Sequence, residues 1–119
     1  MLRCGVDLLE IARVEASHAR FGERFLRRFF TAGEQADCEG QMHRLAARIA
    51  GKEAVAKALG TGIGAVSWTD IEIRSDANGR PVLHLHGEAR AEADRLGLSE
   101  WDISLTHTDT LASAFCVAR

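Results

Sequence analysis

Hydrophobic residues recur along the chain with two different periods, which predict helices first and a β-hairpin after them. Ile11 to about Phe29 and Met42 to about Leu59 carry apolar residues at the spacing of amphipathic helices. Farther on, residues 70–74 and 81–86 alternate apolar and polar side chains on either side of the turn residues 76–79. This arrangement is typical of two antiparallel strands joined by a tight turn.

Shorter segments complete the predicted architecture. Leu2 to Leu8 has the character of a first strand, and residues 87–96 return to helical spacing. Two last strands are predicted at residues 101–106 and 111–117. We therefore expect an α+β fold in which an antiparallel sheet packs against a long central helix. A chain of 119 residues, 46% of them hydrophobic, has room for one such domain, residues 1–119.

Local signals predict where the helices begin and end. Gly22 interrupts or bends the first helical segment. Thr31 to Glu34 matches the capping box, in which the threonine side chain accepts from the third helical N–H and the glutamate reaches back. A short helix should therefore follow Thr31. The segment Gly60-Thr61-Gly62-Ile63-Gly64 should end the long helix, because glycine readily adopts the conformation that a helix C-cap needs.

Composition excludes several classes of function. The formal net charge of −2 disfavours general nucleic-acid binding, because affinity for a phosphate backbone needs a basic surface. No long apolar run follows the first residues, so we expect no signal peptide, no membrane span and a cytoplasmic protein. Three cysteines without CxxC spacing are interpreted as thiols that take no part in chemistry.

The rarity of lysine singles out one stretch of the long helix. Among 15 lysine and arginine residues, only Lys52 and Lys57 are lysines. Glu53 precedes Lys57 by four residues, so the two side chains share one helical face. Two interpretations are open: an ordinary surface ion pair, or a carboxylate that needs a cation because small apolar residues surround it.

Asp7 adds a second carboxylate, near the end of the first predicted strand. Two carboxylates from separate elements suit Mg²⁺, which prefers hard oxygen ligands and takes few of them from the protein. A neighbouring ammonium group, such as that of Lys57, would steady a phosphate. The residues alone leave another interpretation open, in which Asp7 belongs to a turn.

Sequence blocks spread over nearly the whole chain resemble the holo-[acyl-carrier-protein] synthases, and they occur in that family's order. They are Gly5-Val6-Asp7, Glu10-Ile11-Ala12-Arg13, Phe29-Phe30-Thr31 with Glu34, Ala47-Arg48-Ile49-Ala50-Gly51-Lys52-Glu53-Ala54, Lys57-Ala58-Leu59-Gly60-Thr61-Gly62, Gly79-Arg80-Pro81 and Ser104-Leu105-Thr106-His107. The resemblance implies the fold of the 4'-phosphopantetheinyl transferases and a Mg²⁺-dependent reaction. In that reaction the phosphopantetheine arm of coenzyme A moves to a serine of an apo acyl carrier protein, and adenosine 3',5'-bisphosphate leaves.

The resemblance also implies roles for individual residues. Asp7 and Glu53 would bind Mg²⁺ together with the pyrophosphate of coenzyme A, and Glu53 would help to deprotonate the serine, directly or through a water molecule. Lys57 would contact the transferring phosphate. Residues expected near the nucleotide are Arg48 and His107 at its phosphates, and Gly60, Thr61 and Gly62 along it.

Arginines near the N-terminus are the candidate docking surface for the carrier protein. Arg13, Arg20, Arg24 and Arg27 are separated by seven, four and three residues, so one continuous helix would carry them as a stripe. Acyl carrier proteins are acidic, which favours docking over a solvated helix face. The stripe also favours the transferase over the alternative activity, a Mg²⁺-dependent hydrolase of nucleotides or pyrophosphate, which needs no protein acceptor. A third interpretation, a non-catalytic binder of carrier protein or nucleotide, predicts binding without turnover. A break near Gly22 would turn Arg24 and Arg27 away.

Assembly and two departures from the family pattern complete the expectations. The resemblance implies a homotrimer with active sites between neighbouring subunits, and the apolar segment 111–117 is suited to an interface as well as a core. Ile49 and Gly51 stand where the family usually has an aromatic residue and an alanine. His18 and His43 are interpreted as ordinary surface residues.

Overall fold

The helices and strands follow one another in the order that the hydrophobic periods predict. A computed structural model describes residues 1–119, with β1 (Arg3–Glu10), α1 (Ile11–Phe21), α2 (Glu23–Phe29), α3 (Ala32–Cys38), α4 (Met42–Leu59), β2 (Ile71–Ser75), β3 (Pro81–Leu85), α5 (Gly87–Leu96), β4 (Trp101–His107) and β5 (Leu111–Ala118). The predicted break at Gly22 separates α1 from α2, and the predicted capping box of Thr31 and Glu34 begins α3. None of these helices has both the length and the apolar character that a membrane span requires.

The strands form two antiparallel sheets. One has the order β1-β5-β4, and the other is the hairpin of β2 and β3. β1 pairs with β5 over its full length, from Arg3 opposite Ala118 to Glu10 opposite Leu111. The α+β class and the antiparallel pairing are therefore confirmed, while the expected single sheet is divided because β2 and β3 form a ladder only with each other.

The long helix α4 is the centre of the fold, as predicted. Most of its side chains are buried, against the three-stranded sheet on one side and β2 and α5 on others. Alanines at positions 46, 50, 54 and 58 recur every fourth residue and are buried, so neighbouring elements can approach closely. At Gly5 of β1 a Cβ would collide with the carbonyl oxygen of Ala54. Only glycine therefore lets β1 lie this close to α4.

A buried ion pair connects α4 to the elements around it. The Lys52 Nζ donates to Glu34 Oε1 at 2.7 Å and to the Ile71 carbonyl at 2.5 Å, and both charged side chains are 0% exposed. The carboxylate of Glu34 also accepts from the backbone N–H groups of Thr31 and Ile73, at 3.0 and 2.9 Å. Burial lowers the pKa of Lys52, and the charge of Glu34 opposes that shift. The pair therefore fixes α4 against α3 and β2.

Candidate active site

Three of the predicted site residues meet where β1 crosses α4. The Lys57 Nζ donates to the Val6 carbonyl at 2.9 Å and lies 3.3 Å from Asp7 Oδ1. Glu53, one turn earlier on α4, is close enough for the charges of Asp7 and Lys57 to act on its carboxyl. From β5, the Ser113 Oγ donates to the Asp7 carbonyl at 2.8 Å and holds the strand in place. Asp7 and Lys57 are in contact and Glu53 lies one turn from Lys57, and we call these three residues the Asp7–Glu53–Lys57 cluster.

The electrostatics of this cluster favour an added cation. Burial raises the pKa of Glu53, the negative charge of Asp7 raises it further, and the ammonium of Lys57 acts in the opposite direction. Between the two charges, Asp7 acts on Glu53 more strongly than Lys57 does, so the lysine does not fully offset the second carboxylate. The oxygens of these two carboxylates are hard ligands and only two side chains supply them, which fits Mg²⁺ because that ion keeps several water ligands.

The cluster is open to solvent. The side chain of Lys57 is 55% exposed and that of Asp7 is 20% exposed, in contrast to the fully enclosed Lys52 five residues earlier. The two lysines that the sequence places together therefore have different tasks. Lys52 holds the core, and Lys57 can reach a substrate.

The predicted glycine segment follows α4 at the same end as the cluster. Gly60 caps the helix in the left-handed region with φ 78°, and its N–H donates to the carbonyls of Ala56 and Lys57. Gly62 also has a positive φ, 67°. The hydroxyl oxygen of Thr61 is buried without a hydrogen-bond partner. This segment therefore has exposed backbone at Gly60 and Gly62 and a buried hydroxyl oxygen without a partner between them.

The other predicted nucleotide contacts, Arg48 and His107, lie in a separate cleft of about 600 Å³. It is bounded by α3, the first half of α4, the β2–β3 turn and the end of β4, and its basic residues are His43, Arg44, Arg48 and His107. Arg48 is only 4% exposed, and it donates from Nε to the Ile73 carbonyl at 2.9 Å and from Nη2 to the Ser75 hydroxyl at 2.8 Å. We call this region the basic cleft.

Arg48 carries a charge that no carboxylate contacts directly. Both of its acceptors are neutral oxygens, and it forms no ion pair with a carboxylate. A buried cation is costly unless an anion compensates it. The basic cleft is therefore suited to an anionic ligand such as a phosphate.

Helix geometry separates the cluster from the basic cleft. Arg48 and Lys57 are nine residues apart on α4, which is about two and a half turns and about 13 Å of rise. Their side chains therefore project from opposite sides of the helix, and none of the three cluster residues lines the basic cleft. One chain thus brings Asp7, Glu53 and Lys57 together and Arg48 and His107 together, but not the two groups.

One member of the basic cleft was missed by the sequence interpretation. The sequence indicates an ordinary surface residue at His43, yet its ring centroid lies 4.4 Å from that of His107. Partial burial lowers the pKa of His43, and the positive charges of His107 and Arg44 lower it further. The sequence did contain a signal for the cleft. Arg44 and Arg48 are four residues apart and so share a helix face, as Glu53 and Lys57 do.

The candidate docking arginines are divided between two helices. Arg13 and Arg20 lie seven residues apart on α1 and share one face. Gly22 then ends α1 with φ 56°, so the geometry of a single stripe does not extend to Arg24 and Arg27 on α2. All four arginines are exposed.

Comparisons with known proteins agree on one family. The model of the 4'-phosphopantetheinyl transferase superfamily matches residues 3–116. A holo-[acyl-carrier-protein] synthase of Herpetosiphon aurantiacus is 45% identical over 124 residues, covering 98% of each chain. The crystal structure of the Helicobacter pylori synthase in complex with coenzyme A has a TM-score of 0.89 at 32% identity, covering 98% of this chain and 99% of that one. A Bacillus anthracis synthase in complex with coenzyme A (3',5'-ADP) has a TM-score of 0.78 at 32% identity, covering 98% and 94%.

Proposed function

Because the chain belongs to the 4'-phosphopantetheinyl transferase superfamily, we propose that it is a holo-[acyl-carrier-protein] synthase. One domain, residues 1–119, transfers the 4'-phosphopantetheine arm of coenzyme A to a serine of an apo acyl carrier protein and uses Mg²⁺. The observation that carries the proposal is the solvent-open Asp7–Glu53–Lys57 cluster, in a chain similar over nearly its full length to such synthases. The cytoplasmic location expected from the sequence stays a prediction.

The cluster supplies what phosphoryl transfer requires, namely positioning and charge neutralisation. When bound between Asp7 and Glu53, Mg²⁺ would neutralise charge on the pyrophosphate of coenzyme A. Glu53 accepts the proton of the serine hydroxyl, directly or through a water molecule. The serine oxygen forms a bond to the β-phosphorus while the bond to the departing adenosine bisphosphate breaks. Lys57 balances the charge of the transferring phosphate.

The basic cleft is the proposed site for the nucleotide end of coenzyme A. Arg48 and His107 contact its phosphates, and Gly60, Thr61 and Gly62 lie along the nucleotide from the cluster side. Since the cluster and the basic cleft project from opposite sides of α4, a ligand on one chain would have to pass around a helix that other elements cover. Neighbouring subunits avoid this problem when the cluster of one faces the cleft of another, which supports the homotrimer implied by the sequence.

An uncovered apolar face supports the same assembly. On the outer side of the three-stranded sheet, Val6, Leu8 and Phe115 are 58%, 63% and 48% exposed, and Val6 lies directly opposite Phe115. Apolar groups that share one sheet face mark an interface. Light scattering should therefore give three times the chain mass of 13.0 kDa. A monomer with full activity at micromolar concentration would refute the trimer.

The carrier protein is proposed to dock on α1 and α2. Arg13 and Arg20 offer positive charge, and the guanidinium of Arg20 lies 5.1 Å from the ring centre of the exposed Phe21. Beyond the helix break at Gly22, Arg24 and Phe21 line one surface pocket. Arg27 lies 3.5 Å from Glu23. Charge reversal at Arg13 and Arg20 should raise the KM for carrier protein and leave the KM for coenzyme A almost unchanged. The increase should be larger at low salt, where charges are screened less. Equal changes in both KM values would assign these arginines to the fold or to the nucleotide site.

Mass spectrometry of the carrier protein tests the activity directly. Incubation with coenzyme A, Mg²⁺ and an apo carrier protein should add the phosphopantetheine mass to the carrier. Glu53→Gln, which keeps the shape but removes the charge, should abolish this addition, whereas Glu88→Gln on the exposed surface of α5 should not. Asp7→Asn should act mainly by weakening the use of Mg²⁺. Release of adenosine bisphosphate without loading of the carrier would instead support the alternative hydrolase, and near wild-type turnover of Glu53→Gln would refute its assigned role.

A further inference from the structure

His43 is a cleft residue to which neither the core nor the proposed reaction assigns a task. It lies in the first turn of α4, half-buried, and its ring meets that of His107 from β4 at a centroid distance of 4.4 Å and an angle of 31°. Arg44 and Arg48 border the same space. Two imidazoles this close repel each other when both are protonated. The arrangement therefore favours an anion that stabilises the charged form.

The carboxylates around the pair do not supply that anion, because each already has a partner. Three of them line the basic cleft: Asp37 accepts from Arg74 Nε at 2.9 Å, Glu39 lies 3.7 Å from Arg44 Nη1, and Asp76 accepts from two backbone N–H groups of its own turn, at 2.8 and 2.9 Å. Arg48 has no carboxylate partner. Neither imidazole has an ion-pair partner of its own, since the one histidine that pairs with a carboxylate is His86. Asp76 offsets the charge of Arg48 within the cleft but is held by backbone N–H groups of its turn, so a ligand anion can still reach the imidazole pair.

We propose that His43 acts with His107 as a phosphate-binding pair, and that an anionic ligand enters the basic cleft together with a proton taken up by His43. The inference rests on the proposed function, because it takes that ligand to be the adenosine bisphosphate end of coenzyme A. The proton comes from solvent, and no covalent bond changes. His43 is thus a binding residue and takes no part in the transfer step.

Linkage gives the sign of the pH effect. In the free protein the pKa of His43 is lowered, so the ring is neutral near neutral pH. A phosphate beside the ring favours its protonated form and raises that pKa. At a pH between the pKa of His43 in the free protein and its pKa in the complex, binding takes up a proton. The contribution of His43 to affinity therefore grows as the pH falls. The phosphate itself gains a proton near about pH 6. That effect is the same for every variant, so the affinity ratio between variant and wild type isolates the histidine.

Calorimetric titration of the full-length protein with adenosine 3',5'-bisphosphate tests the proposal, at about pH 6 and about pH 8 on either side of the ordinary histidine pKa. Titrations in two buffers of different ionisation enthalpy count the protons taken up. The wild type should take up protons on binding. His43→Gln should bind roughly fivefold more weakly at the lower pH, with less proton uptake, and close to wild-type affinity at the higher pH. The KM for coenzyme A should change in parallel, while kcat and the KM for carrier protein stay the same.

Two further variants separate binding from packing. His43→Lys carries a permanent charge, so it should bind at least as tightly as the wild type at both pH values and without the extra proton uptake. His84→Gln is the matched control, because His84 is exposed on β3 and lies outside the basic cleft. Unchanged affinity and unchanged proton uptake in His43→Gln would overturn the role of His43 while leaving the proposed function intact. A wild type that neither binds the bisphosphate nor loads a carrier protein would overturn both.

Discussion

Replacing Lys52 by methionine should destabilise the protein severely. The substitution nearly keeps the length of the side chain but removes an ammonium that donates to Glu34 and to the carbonyls of Trp68 and Ile71. Glu34 would remain fully buried with only two backbone N–H donors. Removing one partner of a buried ion pair costs about 3–5 kcal/mol, out of a total stability of roughly 5–15 kcal/mol for a typical domain. At this chain length the loss corresponds to a fall in Tm of roughly 12–20 °C.

Lys57→Met is the matched control, because the same change is made five residues farther along the same helix. Its ion pair with Asp7 is partly exposed, so its loss should cost no more than about 1 kcal/mol. Transfer to the carrier should instead fall by about a hundredfold or more. Urea unfolding at one fixed protein concentration and the carrier assay measure the two effects. The reasoning fails if Lys52→Met stays within about 1 kcal/mol of the wild type, or if both variants lose equal stability.

Two further predictions concern packing and pH. Gly51→Ala should destabilise the protein by about 1 kcal/mol, because overpacking against the Cδ1 of Ile73 outweighs the better helix propensity of alanine. Ile73→Val removes that atom, so in an Ile73→Val background the Gly51→Ala substitution should be neutral or stabilising. Urea unfolding measures both effects. Asp37→Asn should cost about 1 kcal/mol near neutral pH. The hydrogen bond from Arg74 and that from the Ser75 N–H lower the pKa of Asp37 despite partial burial, so this contribution is present above the unfolded pKa of about 3.9 and is lost as the pH falls below it. Melting curves of wild type and variant should therefore converge in acid, and a constant difference would contradict the assignment.

The elements were predictable because the rules that set them are local. Burial of one face imposes a period on each helix and strand, and Gly22, Thr31 and Gly60 mark ends through backbone conformation and capping. The pairing of strands depends on contacts between distant segments, so the sequence did not show that β2 and β3 form a sheet of their own. The tight fit of Gly51 against Ile73 is equally non-local, and it provides a physical reason for glycine at a position where the family usually has alanine.

The candidate site, too, was predictable only as far as contacts within one helix determine it. Glu53 and Lys57 share a helix face, so their spacing was informative, whereas the distance from Asp7 depends on how closely β1 packs on α4. The contrast between Lys52 and Lys57 could not be read from spacing either. Both lie in an alanine-rich stretch, and only the positions of Glu34 and the surrounding strands determine which ammonium is enclosed.

Packing and chemistry depend on the same close contact between β1 and α4. Because Gly5 lacks a Cβ, β1 lies against Ala54, the residue after Glu53, and two residues farther along β1 the carboxylate of Asp7 lies beside Lys57. An outward shift of β1 would move Asp7 away from Lys57 and from the metal site proposed above. The small residues of α4 therefore do more than fill the core. They also bring Glu53 near Asp7, whose charge adds to the upward pKa shift that burial of Glu53 produces.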